Sequence, residues 1–139
     1  MIAKLAKCGV CAVAVVVLGA CAGMGGGASD EDAIRQLVDE AMAGLQAQDI
    51  EVMTAAYADD FESDQGGGKA EMVEFLNGAK EQGFLEEIQV DLSSLVITVE
   101  GDKASAKPID LEGAFGALTV EFDLVKRDGK WWVSYQSQY

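Results

Sequence analysis

The Asp128-Gly129 pair constrains this chain more than any other dipeptide in it. It sits between two runs that alternate apolar and polar residues, and both turn residues can reach positive φ. That combination predicts a tight β-hairpin. Leu118, Val120, Phe122 and Leu124 alternate with Thr119, Glu121, Asp123 and Val125 before the turn, and Trp131 to Tyr139 follow it. A two-residue turn sets Leu124 against Val133, Phe122 against Tyr135 and Leu118 against Tyr139. These side chains share one face with Trp131. Thr119, Glu121, Asp123, Trp132, Ser134 and Gln136 share the other. One apolar and one polar face describe a sheet covered on one side only.

The same period governs the chain from Glu87 onward. Ile88, Val90 and Leu92 alternate with polar neighbours, as do Leu95, Ile97 and Val99. Gly101-Asp102 reads as a second tight turn. Pairing across it sets Val99 against Ala104, Ile97 against Ala106 and Glu100 against Lys103, so opposite charges meet on the wet face. Pro108 cannot donate to a ladder, which predicts a bulge or an edge there. The apolar positions indeed shift from Ala104 and Ala106 to Ile109 and Leu111. Gly113 to Gly116 then turns the chain and sets Leu111 near Leu118.

The first half is helical. Ser29 precedes Asp30-Glu31-Asp32, a cap followed by acids that suit the positive end of a helix dipole. Ala33, Ile34, Leu37, Val38, Ala41, Met42 and Leu45 recur at helical spacing, and this helix should end near Gln46 to Gln48. Asp49 caps a second, short helix with Ile50, Met53, Ala56 and Tyr57 on its buried face, ending by Ala58. A third starts near Gly68, carries Met72, Val73, Phe75, Leu76 and Ala79, and stops at Gly83 with Phe84 folding back. Met42, Met53 and Met72 read as core filler. The fold class is α+β: three N-terminal helices on a curved antiparallel sheet of four to six strands.

The N-terminus reads as an address. Lys4 and Lys7 precede an apolar run from Gly9 to Leu18, well short of the roughly 20 residues that span a bilayer, so it reads as a signal-peptide core. Leu18-Gly19-Ala20-Cys21 resembles the lipobox of bacterial lipoproteins. The resemblance implies cleavage before Cys21 and lipidation of its thiol and new amine. Residue 22 is alanine rather than aspartate, and in a two-membrane cell the family's sorting pattern then implies the outer membrane. Several acyl chains anchor stably, since each buried methylene adds about 0.8 kcal/mol. Cys8 and Cys11 fall within the removed segment, which leaves no disulfide within the mature chain. The organisation is a signal segment over 1–20, a lipidated cysteine and glycine-rich tether over 21–29, and one domain over 30–139.

The full chain carries a net charge of −14, and loss of Lys4 and Lys7 takes the mature part to −16. Such a surface repels nucleic acid and no basic stripe offsets it, so no nucleic-acid partner is expected. The sequence holds no histidine, which removes the commonest general base and the commonest metal ligand.

Three stretches together resemble the nuclear transport factor 2-like superfamily, which includes SnoaL-like cyclases and ketosteroid isomerase. They are Gln48-Asp49-Ile50 with Ala56-Tyr57-Ala58-Asp59-Asp60-Phe61, Gly68-Lys69-Ala70-Glu71-Met72, and Val125 to Trp131. The resemblance covers nearly all of residues 30–138. It implies a cone with a pocket at its wide end, dimerisation through the sheet, and a short extra strand over Phe61 to Gln65. The isomerase's catalytic set does not carry over. Its oxyanion tyrosine falls at Ala41 and its protonated aspartic acid near Val120. Its general base falls near Glu62 or Asp64, by position only. The aspartate–histidine pairs of related dehydratases need a histidine that is absent.

Tyr57, Phe61, Phe75, Trp131 and Tyr135 are the candidate pocket residues, with filling of the core as the alternative; Phe84 belongs to the same aromatic set. Trp132, on the polar face, marks a candidate partner surface for a homodimer or an envelope protein. Asp60, Glu62, Asp64 and Glu71 fall at positions one, three, five and twelve of a calcium-loop spacing. Gln65 stands where that loop needs glycine, so solvated acids are the simpler reading. Gly66-Gly67-Gly68 lacks the Lys-Ser/Thr of a phosphate loop. The sequence therefore points to a membrane-tethered, non-catalytic domain that binds a small ligand or an envelope protein, with no cofactor. An isomerase or cyclase using Asp64 or Glu62 is the alternative, and a self-associating structural protein the third.

Overall fold

The computed structural model describes residues 27–139, with side chains from Asp30 onward. The signal segment, Cys21 and tether residues 22–26 lie outside the described residues. Gly27 to Ser29, expected in the tether or as a cap, already belong to the first helix.

Helix α1 spans Gly27–Gln46. Ile34, Val38, Ala41, Met42 and Leu45 are buried along one stripe, as their spacing dictates. Gln48 ends the helix in the left-handed conformation (φ 58), and the Asp49 amide bonds back to the Gly44 carbonyl at 2.8 Å. Asp49 then caps α2 (Ile50–Thr54), its carboxylate accepting from the Val52 amide at 3.1 Å. The α1–α2 crossing is tight. A Cβ built on Gly44 would stand 2.7 Å from the Met53 nitrogen.

The chain departs from expectation at Tyr57. That residue does not close α2; it opens strand β1 (Tyr57–Ser63). The extra strand is therefore longer than expected and starts four residues earlier. Its burial runs two in, two out, then in, out, in, because its register against the last strand shifts between Tyr57 and Glu62. Helix α3 (Lys69–Glu81) follows, with Gly68 at its cap and the Glu71 carboxylate accepting from the Gly68 amide at 2.9 Å. It stops as expected. Gly83 takes φ 79, and the Phe84 amide donates to the Ala79 carbonyl at 2.9 Å.

Strands β2 (Gln89–Asp91), β3 (Val96–Glu100), β4 (Lys103–Gly113), β5 (Gly116–Arg127) and β6 (Lys130–Gln138) complete one six-stranded sheet. Its order is β1-β6-β5-β4-β2, with β3 also on β4. β2 and β3 run along the same edge of β4, one at each end, as a single strand interrupted at Ser93-Ser94. The interruption lies opposite the β4 bulge between Ala106 and Ile109, where Pro108 has no amide to give. Pairing across Gly101-Asp102 follows the expected register throughout. β1 pairs with β6 in parallel, so the sheet is mixed rather than wholly antiparallel.

The last hairpin brings the other correction. Leu124 does pair with Val133, but a bulge between Asp123 and Leu124 then shifts the register. Phe122 faces Gln136 rather than Tyr135, and Tyr139 bonds with Thr119 rather than Leu118. Tyr135 turns out to solvent and Gln136 turns in, to 6% exposure. The helices cover the inner face of the sheet. Phe122, Ile109, Leu124 and Val133 are fully buried there against Ile34 and Val38, each such side chain contributing about 1.5–3 kcal/mol.

Candidate functional site

The inner face is not completely filled. A cavity of about 920 Å³ opens between the C-terminal half of α1, α2, α3 and the sheet. The helices contribute Met42, Leu45, Met53, Met72 and Leu76; the sheet contributes Leu111, Leu118, Val120 and Phe122. Three phenylalanines stand at its edge. Phe75, Phe84 and Phe115 are 67%, 43% and 40% exposed, although all three line the cavity. Exposed aromatic rings around a concavity are costly in water, and a bound apolar body would cover them.

The floor is polar at one place. Ser63 and Gln136 are direct neighbours across the parallel β1–β6 ladder, and both line the cavity with Gln138. The Tyr57 hydroxyl donates to Gln136 Oε1 at 2.7 Å. Tyr57 is fully buried, stacked on Phe61 with ring centroids 4.5 Å apart and edge-on to Phe122 at 6.0 Å. Burial pushes its phenol well above the ordinary range, so it stays protonated and donating. Ser63 Oγ accepts from the Gln65 amide at 3.1 Å, which leaves its own hydrogen free to donate.

Of the five aromatics expected to line a pocket, only Phe75 does. It lies one position before the buried Leu76 on α3, to one side of the helix's inward face, and so stands at the mouth. Tyr57 and Phe61 lie behind the floor in the core. Trp131 lies at the opposite end of the molecule, where its indole N–H donates to Asp30 Oδ1 at 3.2 Å. Lys126 Nζ reaches the same oxygen at 2.8 Å, and these two donors hold the Asp30 carboxyl below its ordinary range. Tyr135 is on the outer face, displaced by the bulge. Phe84, of the same aromatic set, folds back on its helix as expected and also borders the cavity.

The carboxylates expected to act as a base lie outside the cavity. Glu62 is exposed on β1. Asp64 accepts from the Gln138 amide at 3.0 Å. The calcium spacing does not form a site either. Asp60 is held by a two-pronged contact from Arg127 (2.7 and 2.9 Å), and Glu71 caps α3. Among the described residues no group of three or more metal-ligating side chains converges. Trp132 is on the outer face as expected, half-buried, with Lys130 Nζ 4.3 Å from its ring centre.

Residues 27–136 match the SnoaL-like domain. The chain belongs to that family. No curated protein matches it. The fold of this SnoaL-like chain recurs in solved structures at low identity. A nuclear transport factor 2-like protein of unknown function from Pseudomonas putida superposes with a TM-score of 0.70 at 21% identity, over 81% of this chain and 87% of that one. A cystatin-like protein of unknown function from Nostoc punctiforme gives 0.67 at 20%, over 81% and 91%. An uncharacterized cystatin-like protein from Caulobacter vibrioides gives 0.66 at 15%, over 79% and 88%. At such identities the likeness is one of fold, and the chemistry must be read from this chain's own site.

Proposed function

We propose that this SnoaL-like domain binds a small apolar molecule in its cavity without transforming it, and that a lipid on Cys21 holds it at a bacterial envelope membrane. The observation that carries the binding reading is the cavity itself: about 920 Å³, walled by aliphatic side chains and methionines, with three exposed phenylalanines at its mouth. Methionine walls re-shape easily around different apolar bodies. The isomerase or cyclase alternative needs a carboxylate inside the cavity, close to a bound carbon acid. Asp64 and Glu62 are not there. Glu71 and Glu74, which do reach the lining, are both exposed on α3, and Glu71 is committed to capping that helix: its own backbone amide and then the Gly68 amide hold its carboxyl below the ordinary range.

The binding test is equilibrium dialysis of the full chain with a neutral apolar probe, 2-ethylnaphthalene. Saturable binding at one site, weakened several-fold in Phe75→Ser and Phe84→Ser, supports the reading. Binding that is absent, or indifferent to both substitutions, contradicts it. The anchor rests on the lipobox resemblance. Mass spectrometry of the protein from bacterial membranes should find a chain starting at an acylated Cys21, and Cys21→Ala should move the protein to the soluble fraction.

A further inference from the structure

Gln136 is 6% exposed, yet among the described residues its only side-chain hydrogen bond is the one its Oε1 accepts from Tyr57, and its amide nitrogen has no partner. No buried side-chain nitrogen or oxygen among the described residues is left without one. Gln136 lines the cavity, so the open space left for its Nε2 is that of the cavity. The orientation of the amide is fixed from behind. Tyr57 is wholly enclosed, and the hydrogen of its hydroxyl goes to Gln136 Oε1. Turning the amide over would strand that hydrogen in the core, at the full desolvation cost of an unmade bond. So the oxygen points to Tyr57 and both N–H bonds are left for the cavity. Ser63 adds a hydroxyl donor beside them. The floor thus offers donors, and among the described residues the lining carries two carboxylates, Glu71 and Glu74, and no lysine or arginine.

We infer that Gln136, held by Tyr57, is the specificity-determining residue of the cavity, and that the ligand is an uncharged apolar molecule carrying a carbonyl-type oxygen that accepts from Gln136 Nε2. This deepens the binding reading and rests on it. An apolar body fills the space between the methionines and the phenylalanine rim. Its single acceptor oxygen meets the amide at the floor. A carboxylate in the same place would be taken from water with no cation on the described lining to meet it and with two like charges on the same lining, and is rejected.

Three probes of nearly equal size separate these statements: 2-acetylnaphthalene, 2-ethylnaphthalene and 2-naphthoate, measured on the full chain by equilibrium dialysis. The ketone should bind about five- to tenfold more tightly than the hydrocarbon, the advantage of one hydrogen bond. The anion should bind more weakly than either. In Gln136→Leu the ketone's advantage over the hydrocarbon should vanish. Because that variant leaves the Tyr57 hydroxyl unpartnered, the double variant Tyr57→Phe/Gln136→Leu provides a second route, with both polar partners removed together. The bound ketone's carbonyl stretch should lie at lower frequency in the wild type than in the double variant. If hydrocarbon and ketone bind equally to the wild type, the cavity reading stands and the inference about Gln136 falls. The inference also falls if the ketone's advantage survives in both variants, or if the anion binds most tightly. If none of the probes binds, the cavity reading and this inference fall together.

Discussion

Tyr57 and Gln136 tolerate change together better than singly. Tyr57→Phe leaves an acceptor unpartnered in the core, and Gln136→Leu leaves a donor so; each should cost about 1–2 kcal/mol in urea unfolding. The double variant should cost less than the sum, with a coupling of about 0.5–1.5 kcal/mol. Gly44 is a different kind of constraint. A methyl group there meets the Met53 backbone nitrogen at 2.7 Å and Val52 Cγ1 at 2.9 Å, and backbone cannot swing aside. Gly44→Ala should lower stability by about 1–3 kcal/mol, read as a fall in Tm. Asp30 supplies a pH effect. Its carboxyl is held below the ordinary value near 3.8 by Lys126 and then Trp131. A depressed carboxylate contributes stability that is complete above that ordinary value and is lost as pH falls through the lower folded value. Asp30→Asn should therefore flatten the stability–pH curve below about pH 4, as followed by thermal melts across pH 2–6. An unchanged acid limb would show that the Asp30 contacts do not matter for folding.

Among the elements, those with a strict period were legible and those without were not. The β3–β4 turn and its register followed from alternation, the Gly101-Asp102 pair and the Glu100–Lys103 match, and the Pro108 bulge followed from a missing amide. Strand β1 was legible only through the family resemblance, and its start at Tyr57 was hidden, because its two-in, two-out burial has no period and because the parallel partner that makes it a strand lies about 75 residues later in the sequence. The bulge in β6 was hidden for the opposite reason. Trp131, Val133 and Tyr135 continue a regular apolar alternation past the point where the strand slips by one, so the residues themselves favoured the wrong face for Gln136. Ser134 and Tyr135 both lie toward the outer side there, the Ser134 hydroxyl donating to the Asp123 carbonyl at 3.2 Å. Bulges re-aim side chains in this way beside binding sites. Deleting Ser134 should remove the extra residue and leave Gln136 facing inward. The variant should unfold cooperatively with less than about 2 kcal/mol lost. In an unbulged strand the same deletion would send every later residue to the opposite face, and the protein would not fold.

At the scale of the molecule, the apolar cone was legible and the occupied part of it was not. Hydrophobic spacing located the helices and the sheet that enclose an interior, but the boundary between filled core and open cavity depends on packing that no spacing records. Tyr57 and Phe61 fell on the filled side, and Phe75, Phe84 and Phe115 at the opening. The cavity lies toward the C-terminal end of α1, and the Asp30 contacts lie at the other end of that helix. The central claim is that a buried amide at the cavity floor reads the ligand. The most direct measurement is the NMR signal of the Gln136 side-chain NH₂ in 15N-labelled protein, identified by its loss in Gln136→Leu. On saturation with 2-acetylnaphthalene it should move downfield, and with 2-ethylnaphthalene it should move far less. A Gln136 NH₂ signal indifferent to the ketone, while the ketone is bound, would contradict the account.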